Sequence, residues 1–82
     1  MATVVLGNEL SRLYAGGELR VEVDAHNYRS LVKALDAKYP GIAEAVKTGV
    51  AVAIDGEIYQ DPFLESVQPD SEVFFLPAIE GG

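Results

Sequence analysis

The chain has 82 residues, no cysteine and a formal net charge of −7. That length allows one domain and leaves little room for a deep active site assembled from several loops. The lack of cysteine excludes disulfides, thiolate metal centres, iron–sulfur clusters and cysteine nucleophiles, and the acidic balance makes nucleic acid and anionic membranes poor partners.

No apolar run approaches the ~20 residues of a membrane-spanning helix. The start, Met1 to Leu6, lacks the basic residues of a signal peptide. A soluble, cytoplasmic protein is expected. The charge is uneven: no Lys or Arg follows Lys47, whereas Asp55, Glu57, Asp61, Glu65, Asp70, Glu72 and Glu80 do. Such a surface keeps a small protein soluble, and it can also steer the chain to a basic partner.

Thr3 to Leu6 is a short β-branched run and the first expected strand. Gly7 and Asn8 break it, and Glu9 to Tyr14 can form one helical turn with Leu10, Leu13 and Tyr14 on one side. Ala15-Gly16-Gly17 reads as a turn, not a phosphate loop, because no helix follows it. From Glu18 to Asp24 the chain alternates, with Leu19, Val21 and Val23 on one side and charges on the other. That is a half-buried strand, suited to an antiparallel hairpin with the first.

The clearest helix follows. Asn27 suits the N-cap, and Tyr28, Leu31, Val32, Leu35 and Tyr39 make one apolar stripe. Pro40-Gly41 stops it, and Ile42 to Lys47 allows a second short helix ended by Thr48-Gly49. Val50 to Ile54 is an apolar strand, Asp55-Gly56 is a type I′ hairpin signal, and Glu57 to Gln60 returns. Phe63, Leu64 and Val67 are expected to tuck under the sheet. Pro69-Asp70 turns the chain into a last strand from Glu72 to Leu76, whose pairing Pro77 is expected to end.

This order, β-β-α-β-β-β, predicts an α+β roll: a mixed sheet of four to five strands with one main helix on one face. The first and last strands can pair in parallel at its centre, as in the β-grasp arrangement of ubiquitin. Residues 1–77 would be the folded domain, and 78–82 a tail ending in Gly81-Gly82.

On these residues the chain resembles the MoaD/ThiS family of ubiquitin-like sulfur carriers over essentially its whole length. The resemblance is densest at Tyr39-Pro40-Gly41, at Val52 to Glu57, and from Asp70 through Pro77 into Gly81-Gly82. The length and the insertion between the first two strands look more like the MoaD branch. The resemblance implies a carrier that is not itself an enzyme and binds no cofactor of its own. An E1-like adenylating enzyme, using ATP and Mg in trans, would make an acyl-adenylate at Gly82; a sulfur donor would then displace AMP and leave a thiocarboxylate. Chemically the activation is needed because a carboxylate with a pKa of about 3.5 is ionised and a poor electrophile. Glycine at positions 81 and 82 lets the tail enter a narrow tunnel and adopt angles closed to other residues.

The resemblance implies a sulfur acceptor as second partner, first of all the large subunit of molybdopterin synthase in molybdenum cofactor biosynthesis. The stretch Leu76-Pro77-Ala78-Ile79 has a single proline, where molybdopterin synthase small subunits often have a second. Relatives that feed sulfur to cysteine synthesis can end in a similar Leu-Pro-Ala stretch. A thiamine-type pathway, a ubiquitin-like protein modifier and a non-covalent interaction module are further alternatives.

In the last strand Val73 and Phe75 face opposite to Phe74 and Leu76. Counting back from the tail as in ubiquitin puts Val73 and Phe75 inside. Phe74 and Leu76, with Ile79, would then form a docking patch beside the tail, unless the stretch around Phe63 and Leu64 covers them. His26 is the sole histidine and lacks the company of a metal site; it is expected at the surface before the main helix.

Overall fold

In the computed structural model the described residues are 1–47, 50–59, 62 and 65–77. Eight elements follow in order: β1 (Ala2–Val5), α1 (Asn8–Tyr14), β2 (Arg20–Val23), α2 (Tyr28–Lys38), α3 (Ile42–Ala45), β3 (Val50–Ile54), β4 (Glu57–Tyr59) and β5 (Glu72–Pro77). The five strands form one mixed sheet in the order β2-β1-β5-β3-β4. β5 lies at its centre, parallel to β1 and antiparallel to β3. This is the β-grasp roll expected from the sequence.

α2 forms where its residue types dictate. The Asn27 side chain accepts from the Ser30 N–H at 2.8 Å, and the Asn27 N–H donates to Ser30 Oγ at 3.3 Å. This reciprocal cap satisfies two first-turn groups. Tyr28, Leu31 and Leu35 are buried on the sheet, while Val32 and Tyr39 pack on the core edge. Each fully buried leucine contributes roughly 2–3 kcal/mol by apolar burial. Asp36 then joins α2 to α3: its Oδ1 accepts from the Gly41 and Ala43 N–H groups. Gly41 has φ +99°, and a Cβ there would come within 3.2 Å of the Tyr14 ring, so α1 and α3 pack closely only over a glycine.

One sheet face carries the core. Ala2, Val4, Val21, Val23, Val52, Ile54, Val73 and Phe75 are all buried beneath the helices. Phe75 meets Tyr28 edge-on, ring centroids 6.2 Å apart. Burial in this core pushes the Tyr28 hydroxyl up to about 12.

Four expectations need correction. Leu13 and Leu19 are exposed. α1 turns Leu10, Ser11 and Tyr14 inward, and Leu13 lies about 100° round the helix from Tyr14. β2 begins at Arg20, so Leu19 falls outside the strand, its carbonyl accepting from the Leu6 N–H at the uncovered sheet edge. The segment expected as one helical turn is a seven-residue helix. β5 runs through Pro77, which stands opposite Val50; proline lacks only the donor, and its φ is compatible with an extended strand at its last residue. Val67 is buried as expected, while Phe63, Leu64 and Gln60 lie outside the described residues.

Candidate functional site

Which residues share the outer face of the sheet follows from strand register. Val5 stands opposite Arg20 and Phe74, Phe74 opposite Ala53, and Ala53 opposite Ile58. Because side chains alternate along each strand, these residues form one row across all five strands. Its members from β1 through β4 are apolar. Ile58 is 67% exposed, Val5 and Phe74 are half-buried, and Ala53 is nearly covered by its neighbours. Leu76, exposed at 36%, stands one row further along β5, opposite Ala51.

The row has different neighbours on its two sides. Leu76 and then Pro77 lie toward the C-terminal end of β5. On the other side the register places Glu22, Thr3 and Glu72 side by side, with Asp55 following Ile54 at the hairpin tip. The apolar surface thus lies between an acidic border and the C-terminal end of β5.

The hairpin tip is tied to β5 by a polar cluster. Asp55 and Gly56 have φ of 50° and 88°, both positive, as the Asp-Gly signal requires. Ser71 Oγ donates to Asp55 Oδ2 at 2.7 Å, and the Glu72 N–H donates to Asp55 Oδ1 at 3.0 Å. The Asp55 N–H donates in turn to the Glu72 carbonyl at 2.9 Å. The Ser71 hydrogen bond, followed by that from Glu72, holds the Asp55 carboxyl below the usual aspartate range.

Phe74 and Leu76 are brought together on the outer face, whereas Val73 and Phe75 are 0% and 2% exposed on the inner one. Ile79, Gly81 and Gly82 lie outside the described residues, as do Ala78 and Glu80. Sequence reasoning missed Val5, Ala53 and Ile58. The signal for the last two was present: a two-residue Asp-Gly turn pairs Ile54 with Glu57 and hence Ala53 with Ile58. His26 is exposed just before α2, where its carbonyl accepts from the Val67 N–H. Among the described residues no three His, Asp or Glu side chains are grouped to hold a metal ion, and no helix is long and apolar enough to cross a membrane.

The sequence model of the ThiS family matches residues 5–82. A chain of the Amycolatopsis orientalis BexX/CysO complex superimposes with a TM-score of 0.88 at 20% identity, covering 100% of both chains. CysO from Mycobacterium tuberculosis gives the same score and identity over 96% of this chain and 100% of its own. The small archaeal modifier protein 1 of Methanosarcina acetivorans gives 0.80 at 18% identity, over 99% of this chain and 95% of its own. No curated protein matches the chain significantly.

Proposed function

Because the chain belongs to the ThiS family of ubiquitin-like sulfur carriers, we propose that it carries sulfur on the carboxyl group of Gly82 and docks on its partners through the outer sheet face. An E1-like enzyme, with Mg-ATP, forms the acyl-adenylate; sulfide from a donor displaces AMP and gives the thiocarboxylate, which an acceptor then consumes. The chain's own part is to present the tail and be recognised. The observation that carries this reading is the apolar row Val5, Phe74, Ala53 and Ile58, continued by Leu76 on the strand that leads into Gly81-Gly82. A solvent-facing apolar patch on so small an acidic protein suits a surface that is covered in turn by partners. The activating enzyme must attract ATP and a carboxylate, so cationic groups near its binding surface would complement the acidic border at Glu22, Asp55 and Glu72.

For the acceptor, the likeness to two CysO chains and the single proline in Leu76-Pro77-Ala78 favour delivery to cysteine synthesis. The large subunit of molybdopterin synthase, the first acceptor suggested by the family resemblance, is the competing assignment. The likeness to the archaeal modifier supports a second reading, in which Gly82 ends in an isopeptide bond to a lysine.

The test is mass spectrometry of the C-terminal peptide after incubation with the host's adenylating enzyme, Mg-ATP and a sulfur donor. ATP-dependent replacement of one oxygen by sulfur on Gly82 is expected. A tail that stays a carboxylate with every such enzyme of the host overturns the carrier reading, and lysine conjugates on a denaturing gel establish the modifier one.

A further inference from the structure

The sequence Val73-Phe74-Phe75-Leu76 is apolar at four consecutive positions. Register in a sheet is ordinarily set by alternation, since a shift by one residue sends the buried set to the opposite face. Here alternation does not decide. Val73 with Phe75, and Phe74 with Leu76, each offer one phenylalanine and one aliphatic side chain to the core. A shift in which each residue of β5 takes the place of its predecessor would bury Phe74 and Leu76 and expose Val73 and Phe75. It would also draw the tail back by about 3.3 Å, one residue of strand rise. The opposite shift needs no such scrutiny, because it would bury the Glu72 carboxylate in the place of Val73.

What distinguishes the observed register from the retracted one stands at the beginning of β5. Ser71 is 1% exposed. Its hydroxyl donates to Asp55 and accepts from the Gln68 N–H at 2.9 Å, and its carbonyl accepts from the Thr3 N–H at 2.9 Å. The retracting shift removes Ser71 from its buried place and puts the Glu72 side chain there, a second carboxylate beside the solvent-exposed carboxyl of Asp55. Like charge and desolvation both oppose that arrangement.

We propose that Asp55 and Ser71 are positioning residues that select the register of β5, and with it which apolar pair is buried and which stands beside the tail. They act at the end of β5 remote from the tail, through the strand itself. Their functional consequence rests on the sulfur-carrier reading; the structural selection does not.

The experiment is heteronuclear NMR of the Asp55→Ala/Ser71→Ala double variant. A second set of β5 resonances is expected, with Ala53 showing contacts to Phe75 in that set and to Phe74 in the native one. Ser71→Ala, which removes one hydroxyl only, carries the same test if the double variant does not fold, with a smaller second population. Adding Leu76→Lys should restore a single native set, because the retracted register would then bury a lysine. A single native set without that addition, or two sets that persist with it, overturns the proposal. In ATP–pyrophosphate exchange with the host's adenylating enzyme, Ser71→Ala, which leaves the acidic border intact, should raise KM for the carrier in proportion to the native register lost, by less than about twofold, and leave kcat unchanged. No exchange with the unaltered carrier counts against the sulfur-carrier reading and leaves the NMR outcome to decide the register.

Discussion

The two sides of β5 carry almost the same chemistry and have opposite fates. Val73 and Phe75 are sealed against Tyr28 and the helical layer, while Phe74 is half-covered and Leu76 exposed. Hydrophobicity cannot account for the difference, because each side has one phenylalanine and one aliphatic residue. The difference lies in what the rest of the chain puts opposite them. Helices α2 and α3 and the half-buried side chains of α1 cover one face; the described residues put no helix over the other. An apolar side chain therefore stabilises the fold on one side and, on the proposed reading, serves recognition on the other.

The sharpest separation is expected at the tail. Deleting Gly81-Gly82 should abolish adenylation and sulfur loading without lowering Tm, as the proposed division between a folded body and a reactive end requires. Phe75→Ala should show the reverse pattern, destabilising the fold by about 3–5 kcal/mol in chemical denaturation. The correctly folded fraction of that variant should still be loaded. Leu76→Glu tests the outer side: KM for the activating enzyme should rise by about tenfold while stability changes by less than about 0.5 kcal/mol. Equal losses of stability from Phe75→Ala and Leu76→Glu would erase the distinction between the two sides.

Two smaller effects refine it. The folded protein holds Asp55 below its ordinary pKa, so the group contributes stability that is fully present above about pH 4. That contribution is lost as pH falls through the lowered folded-state value. Asp55→Asn should therefore flatten the acid limb of stability against pH and have its main effect at neutral pH. Ser11→Ala is the smallest change. Among the described residues the buried Ser11 Oγ has no hydrogen-bond partner, so removing it should be neutral or stabilise by up to about 1 kcal/mol in thermal unfolding.

Much of this molecule was legible locally. The Asn27 cap with its apolar stripe, the Asp55-Gly56 turn and the alternation of Val21 and Val23 each depend on residues a few positions apart, and each appears where the sequence places it. Local patterns also misled. Leu13 was expected on one side with Leu10 and Tyr14, and Leu19 with Val21 and Val23, but both are exposed: Leu13 is turned away round α1 and Leu19 precedes β2. The candidate docking row was only half legible. Phe74 and Leu76 could be proposed from β5 alone, whereas Val5 and Ile58 join them only through pairings across the sheet.

The sequence by itself determined the order of elements, the main helix, the hairpin and the glycine end, because each is set by short-range backbone preference and side-chain period. Periodicity within Val73 to Leu76 left the core side open; the count back from the tail put Val73 and Phe75 inside, and the tertiary structure buries them. On the proposed reading that choice is held by the hydrogen-bonded contact between Asp55 and Ser71, 16 residues apart in the chain. An apolar run without alternation carries no information about which of its faces will meet the helix.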